Sequence, residues 1–167
     1  MLLSAPRRDG PGPSARGKEG SMAADEKQSE QRAPTRFARL RKILVLDKDE
    51  FWGPSIRLAL EESGYYLNLV AEPREGCRRV LERAYDLVII SASVGQGAVQ
   101  AILELLARRV TPPGVIVLAG ADELRMQTDH PGVPALSVLR RPCAVEDVVD
   151  AVRALVGAPW TDHRKGA

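Results

Sequence analysis

From residue 42 onward, short apolar runs alternate with longer segments in which apolar positions recur every three or four residues. Ile43-Leu44-Val45-Leu46 is a continuous apolar run that stops at Asp47. A strand covered on both faces reads this way, because helices pack on each side of a parallel sheet. The next segment predicts a helix, with Trp52, Ile56 and Leu60 at i, i+4 and i+8, Pro54 in the tolerant first turn and Gly64 at the end. Residues 66–70 predict a second strand, and a helix over 73–84 is expected to turn Val80, Leu81 and Ala84 inward. Residues 87–90 form a third apolar run. Gly97 precedes a helix carrying Val99, Ile102, Leu103 and Leu106 on one face. Pro112-Pro113-Gly114 introduces a fourth strand over 115–118, and 121–130 reads as a weak, polar helix. A fifth strand is expected over 136–139. The last helix, 145–156, has Val145, Val148, Val149, Val152 and Leu155 as its apolar stripe.

Five alternations of short apolar strand and helix with short connections define an α/β fold, a five-stranded parallel sheet that is doubly wound. Ligands and reactive groups in such sheets lie beyond the carboxyl ends of the strands. The residues to interrogate are therefore Asp47-Lys48-Asp49-Glu50, Ser91, Ala119-Gly120 and Arg140-Arg141-Pro142.

Charge narrows the function classes. The 167 residues contain 24 Lys+Arg and 22 Asp+Glu, a formal net charge of +2. A dedicated nucleic-acid binder carries a strong basic excess, so that class is disfavoured. Residues 1–36 hold seven basic and five acidic residues, four Pro, four Gly and four Ser, with no apolar period. They are expected to be a disordered tail. One domain is expected over 37–158, with a short C-terminal tail over 159–167, too short for an output domain. Cys77 and Cys143 do not make a disulfide scaffold, and a reduced, cytoplasmic setting fits. No apolar run approaches the roughly 18–20 residues that a membrane helix needs.

The run Ile43-Leu44-Val45-Leu46-Asp47 followed by Asp49-Glu50 resembles the first strand of bacterial two-component response-regulator receiver domains. The first-helix ending Leu58-x-Leu60-Glu61-x-x-Gly64-Tyr65 is similar too, as are Asp86-Leu87-Val88-Ile89-Ile90, Pro113-x-Val115-Ile116-Val117-Leu118 and Leu139-x-Arg141-Pro142. These motifs follow one another at the family's spacing over about 41–158. The resemblance implies the flavodoxin-like (βα)5 receiver fold. It also implies a chemistry. A receiver accepts a phosphoryl group from a histidine kinase on an aspartate at the third-strand exit, and two acids at the first-strand exit hold Mg²⁺. A Thr or Ser at the fourth exit and a Lys at the fifth contact the phosphoryl oxygens.

This chain departs from that set. Ser91 stands at the acceptor position and cannot form an acyl phosphate. Asp47 matches the first acid, but Lys48 stands at the second, where an ammonium repels Mg²⁺. Asp49 is acidic but one residue too far along. Ala119 replaces the Thr/Ser, Val138 replaces the aromatic that many receivers carry, and Arg141 replaces the Lys. Pro142 is a candidate cis-proline. The resemblance therefore implies a degenerate site, a pseudo-receiver without cofactor, its Mg²⁺ binding lost.

Two readings of Lys48 stay open: a substitute cation paired with Asp47 or Asp49, or a solvated loop lysine. For Arg141, pairing with the remaining acids is preferred over anion binding, and for Ser91, structural filler over a kinase target. His130 and His163 lack metal-ligand spacing. The expected function is a stand-alone, non-enzymatic signalling module acting through protein–protein contacts. Its partner is a histidine kinase or another regulator, met over about 121–156, and homodimer contacts on the same face are a candidate. Nucleic acid and membrane are not expected partners. The alternatives are a conventional phosphorelay regulator and a small-molecule binder on the same fold.

Overall fold

The computed structural model describes Gly10, residues 40–123 and residues 130–159. The rest of the expected tail over 1–36 lies outside the described residues, as do most of the expected helix over 121–130 and residues 160–167. Five strands, β1 (Lys42–Leu46), β2 (Tyr66–Val70), β3 (Leu87–Ser91), β4 (Gly114–Ala119) and β5 (Leu136–Arg140), form one sheet. Their order is β2-β1-β3-β4-β5 and every pair is parallel. Described helices are α1 (Trp52–Glu62), α2 (Pro73–Glu82), α3 (Gln96–Ala107) and α4 (Val145–Val156), with a 3-10 turn at Ala92–Val94.

Alternation along each strand divides the core in two. Leu44, Leu46, Val88, Ile90, Val115 and Val117 face one way, packed with Val80 of α2 and Val99, Ile102, Leu103 and Leu106 of α3. Ile43, Val45, Leu87, Ile89, Ile116 and Leu118 face the other way, against Ile56 and Leu60 of α1 and Val148 and Val152 of α4. Both faces are covered, so the central strands β1, β3 and β4 carry unbroken apolar runs. Burying each such side chain is worth about 1.5–3 kcal/mol.

The expected inward face of the second helix needs correction. α2 ends at Glu82, so Ala84 lies beyond the helix and is exposed, and Leu81 is 63% exposed. The buried positions are Gly76 and Val80, four apart, with Cys77 packed beside them. α3 begins one residue before Gly97, its N-cap being Gly95 at φ +104°, a backbone angle that favours glycine. α4 is capped at its start by Asp147, whose carboxylate accepts the Ala144 N–H at 2.9 Å. Its end is tied down by Tyr65, whose hydroxyl donates to the Gly157 carbonyl at 2.9 Å. The segment leading into β5 presses Gly132 against α3, where an added Cβ would sit 2.5 Å from the Ala107 Cβ. Among the described residues no helix is long and apolar enough to cross a membrane.

Candidate functional site

β1 pairs with β2 on one side and β3 on the other, so the chain direction across the sheet reverses there, and sites in such sheets form beyond the carboxyl ends of the strands at that point. Asp47 lies at that point. Its backbone N–H donates to the Val70 carbonyl at 3.0 Å, extending the β1–β2 ladder by one bond. Its side chain is fully buried. Burial of a carboxylate is tolerated only with partners, and Asp47 has two. Oδ1 accepts the Asp49 N–H at 3.0 Å, and Oδ2 accepts from Arg141 Nη2 at 2.6 Å.

Arg141 comes from the far edge of the sheet. Its N–H donates to the Ala119 carbonyl at 2.8 Å, so its backbone continues the β4–β5 ladder. β3 and β4 lie between β5 and β1 in the sheet, and the Arg141 side chain meets Asp47 beyond the carboxyl ends of the strands. The guanidinium lies over the Trp52 ring, 4.0 Å from its centroid. Arg141 is thus held between a carboxylate and an indole face, and its side chain is 20% exposed. Its Nε is buried without a hydrogen-bond partner among the described residues. The Arg141–Pro142 peptide is cis.

The remaining positions are already committed elsewhere. Ser91 is fully buried and its hydroxyl shares a 2.7 Å hydrogen bond with Ser93. A second hydroxyl is no base, so this serine is not an activated nucleophile. Asp49 turns away from Asp47 toward α1, where Oδ1 accepts the N–H groups of Phe51 and Trp52, each at 2.9 Å. Those two backbone bonds, Trp52 first, hold its carboxyl below the usual range. Of the two readings of Lys48, the substitute cation is not the one observed: Lys48 is exposed and forms no ion pair with a described residue. Ala119 is buried, and the next amide, Gly120 N–H, is taken by Glu123 Oε2 at 2.9 Å. Val138 is partly exposed on the edge strand. Cys143 is half-buried near Arg141, and burial pushes its thiol up. His130 accepts the Gly132 N–H at Nδ1, 3.3 Å away, and His163 lies outside the described residues.

Mg²⁺ demands near-octahedral oxygen ligands, usually one or two carboxylates plus waters. The buried carboxylate at the β1 exit, Asp47, has one oxygen on a guanidinium and the other on an amide, and one Asp49 oxygen is taken by the first amides of α1. A cation is already beside Asp47. The residues present do not fit a divalent ion. Among the described residues no cluster of three His, Cys, Asp or Glu side chains could hold a metal.

Sequence reasoning placed Asp47, Ser91, Ala119 and Arg141 at the strand exits, where the structure has them. It did not find Asp49 as the cap of α1, although an Asp just before an apolar-periodic run is a helix-start signal. Trp52, at the start of the helix that follows β1, was expected near the site, but its place beneath Arg141 is revealed by no local signal.

No protein-family model matches the sequence, and no curated protein matches it. Solved structures do. A response-regulator receiver domain protein from Clostridium thermocellum is 25% identical, with 70% of this chain and 94% of that one covered, at a TM-score of 0.58. The receiver domain of a sensor histidine kinase from Pseudomonas aeruginosa PAO1, with magnesium in its active-site cleft, is 16% identical at a TM-score of 0.59, with 71% and 99% covered. A streptococcal redox sensor, of a family described as evolved from two-component response regulators, is 20% identical over 70% of this chain and 51% of that one, at a TM-score of 0.59. This chain has the receiver fold, the flavodoxin-like architecture of response-regulator signalling modules.

Proposed function

We propose that this chain is a receiver-fold signalling module whose strand-exit site is held in one state by Arg141, and which acts by docking to a protein rather than by aspartyl phosphorylation or catalysis. The Asp47–Arg141 bond carries this reading. In the receivers that this chain resembles, the acids at the first-strand exit hold Mg²⁺ beside the acceptor. Here the positive charge is covalently part of the chain, paired to a buried carboxylate and stacked on Trp52. A buried hydroxyl at Ser91 supplies neither a carboxylate acceptor nor a base-activated oxygen. A partner of such a domain reads a fixed shape.

The test is incubation with Mg²⁺ and acetyl phosphate followed by the mass of the intact protein. No mass gain is expected. A gain of one phosphoryl group removes the proposal in favour of a conventional phosphorelay regulator.

A further inference from the structure

We propose that the cavity at the amino ends of β1 and β2 binds a small aromatic anion, a planar ring bearing a carboxylate or a phosphate. The cavity lies at the opposite end of the sheet from Asp47 and Arg141, and its chemistry does not depend on how that site works.

Its volume is about 560 Å³, within the roughly 300–1,000 Å³ that small-molecule sites occupy. Lys42 and Tyr66, the first residues of β1 and β2, line it together with Asn68. Arg83, Ala84 and Tyr85, on the connection from α2 to β3, line it from another side.

Hydrogen bonds fix these segments to one another. Lys42 N–H donates to Asp86 Oδ2 at 2.8 Å, and Asp86 N–H donates to the Lys42 carbonyl at 2.8 Å. Tyr66 N–H donates to the Arg41 carbonyl at 3.0 Å. The Tyr85 hydroxyl donates to Asn68 Oδ1 at 3.0 Å, joining the connection to β2. Arg109 Nη2 donates to the Arg83 carbonyl at 3.0 Å and anchors that connection to the end of α3. The walls are therefore in place before a ligand arrives, which lowers the ordering cost of binding.

Charge selects the ligand's sign. Lys42 and Arg83 are exposed, and neither forms an ion pair with a described residue. Arg78 and Arg79, on the helix just before, are by contrast both paired with Glu75. No acid is among the described residues that line the cavity. Asp86, next to Tyr85, is taken up by the Lys42 amide and by Arg41, 3.8 Å away. Two cations without a counter-charge on one cavity suit a carboxylate or a phosphate.

The remaining lining selects the ligand's body. Tyr66 and Tyr85 bring two aromatic side chains to the cavity, and Leu40 adds an aliphatic one. Tyr66 and Leu40 are 45% and 50% exposed, apolar surface that a planar ring would cover. An inorganic anion would meet the charges and leave these side chains in water, and a neutral ring would do the reverse.

The experiment titrates the full chain by calorimetry with four probes. Naphthoate and naphthyl phosphate carry the two anionic groups on one ring system. Naphthamide keeps the ring without the charge, and cyclohexanecarboxylate keeps the charge without the aromatic ring. At least one naphthyl anion is expected to bind, more weakly as salt rises, and the tighter of the two identifies the anionic group. The amide and the cyclohexane acid are each expected to bind about tenfold or more weakly. Amide resonances of an isotope-labelled chain are expected to move at 40–42, 66–68 and 83–85. Lys42→Gln/Arg83→Gln is expected to weaken binding about tenfold or more, its unliganded amide spectrum showing that the fold is kept. Arg74→Gln, at the other end of α2, is expected to leave binding unchanged. Failure of both naphthyl anions to bind, equal binding of the amide, or full binding to the double variant overturns the site.

Discussion

Arg141 and Asp47 are 94 residues apart in sequence and 2.6 Å apart at the carboxyl end of the sheet, the guanidinium nitrogen donating to a carboxylate oxygen whose side chain has no solvent exposure. An exposed pair would contribute about 0–1 kcal/mol. Removing one member of a buried pair leaves the other uncompensated and costs up to about 3–5 kcal/mol.

Asp47→Ala and Arg141→Ala are therefore each expected to destabilise the domain by more than about 1 kcal/mol, and the double variant by less than the sum. Urea denaturation of the four proteins measures this. Additive losses, or losses near zero, would mean that the two charges are solvated independently.

Trp52 reports on the same contact. With Arg141 gone, the indole face that the guanidinium covers opens to water. In a Trp160→Phe background, which leaves one of the chain's two tryptophans, Arg141→Ala is expected to shift Trp52 emission to the red. Arg141→Lys keeps the charge but not the planar stack and should lie between. Unchanged spectra in both variants would separate Trp52 from the site.

Rebuilding the acidic set tests the cost of its loss. Lys48→Asp with Ser91→Asp places a carboxylate in a fully buried position near Asp47. Like charges in that setting repel, so the double variant is expected to melt lower than the parent in metal-free buffer. Millimolar MgCl₂ should raise its melting temperature and leave the parent's unchanged. Phosphorylation should remain feeble, because Ala119 and Arg141 are still in place. Strong acetyl phosphate labelling of this variant would show that those two positions matter less than their chemistry suggests.

The α1 cap gives a pH dependence. Backbone N–H groups of Trp52 and Phe51 hold the Asp49 carboxyl below its usual 3.8. A depressed folded-state value contributes stability above the unfolded-state value, and the contribution is lost as pH falls through the folded one. Asp49→Ala is expected to lower the urea midpoint at neutral pH, with the difference from the parent closing in acid below that value. Asp49→Asn keeps an accepting oxygen and should lose less. A difference that persists undiminished in acid would place the effect outside the carboxylate.

Gly132 sits where α3 leaves no room for a side chain, an added Cβ falling 2.5 Å from that of Ala107 and 3.2 Å from its Cα. Gly132→Ala is expected to cost about 1–3 kcal/mol, as overpacking does. Thermal melts check it, and Gly97→Ala, where nothing lies within 4 Å, is the comparison.

How far the sequence carried the reading depends on the range of the forces involved. The five strands and the helices packed on them were legible because each is fixed by a local period, and a strand such as residues 43–46, apolar at every position, requires cover on both faces. The over-extension of α2 has a local cause as well. Leu81 and Ala84 fit the apolar pattern, but Arg83 has extended backbone angles and ends the helix first. The site was legible as positions, because parallel strands must all exit at one end, so Asp47, Ser91, Ala119 and Arg141 had to gather there.

What those positions do to one another was decided only by the tertiary structure. From sequence, Lys48 and Arg141 were both cations available to Asp47, and Lys48 was nearer along the chain. Proximity in sequence did not select the partner. Lys48 follows Asp47 directly and is left exposed in the loop, while β5 brings Arg141 across the sheet toward the buried carboxylate. Trp52 then supplies the second surface of the clamp from the first turn of α1. Period and composition specify elements residue by residue, but a contact between β1, α1 and the end of β5 exists only once the sheet order β2-β1-β3-β4-β5 is set. That order is fixed by burying both faces of the sheet at once, which no single segment encodes.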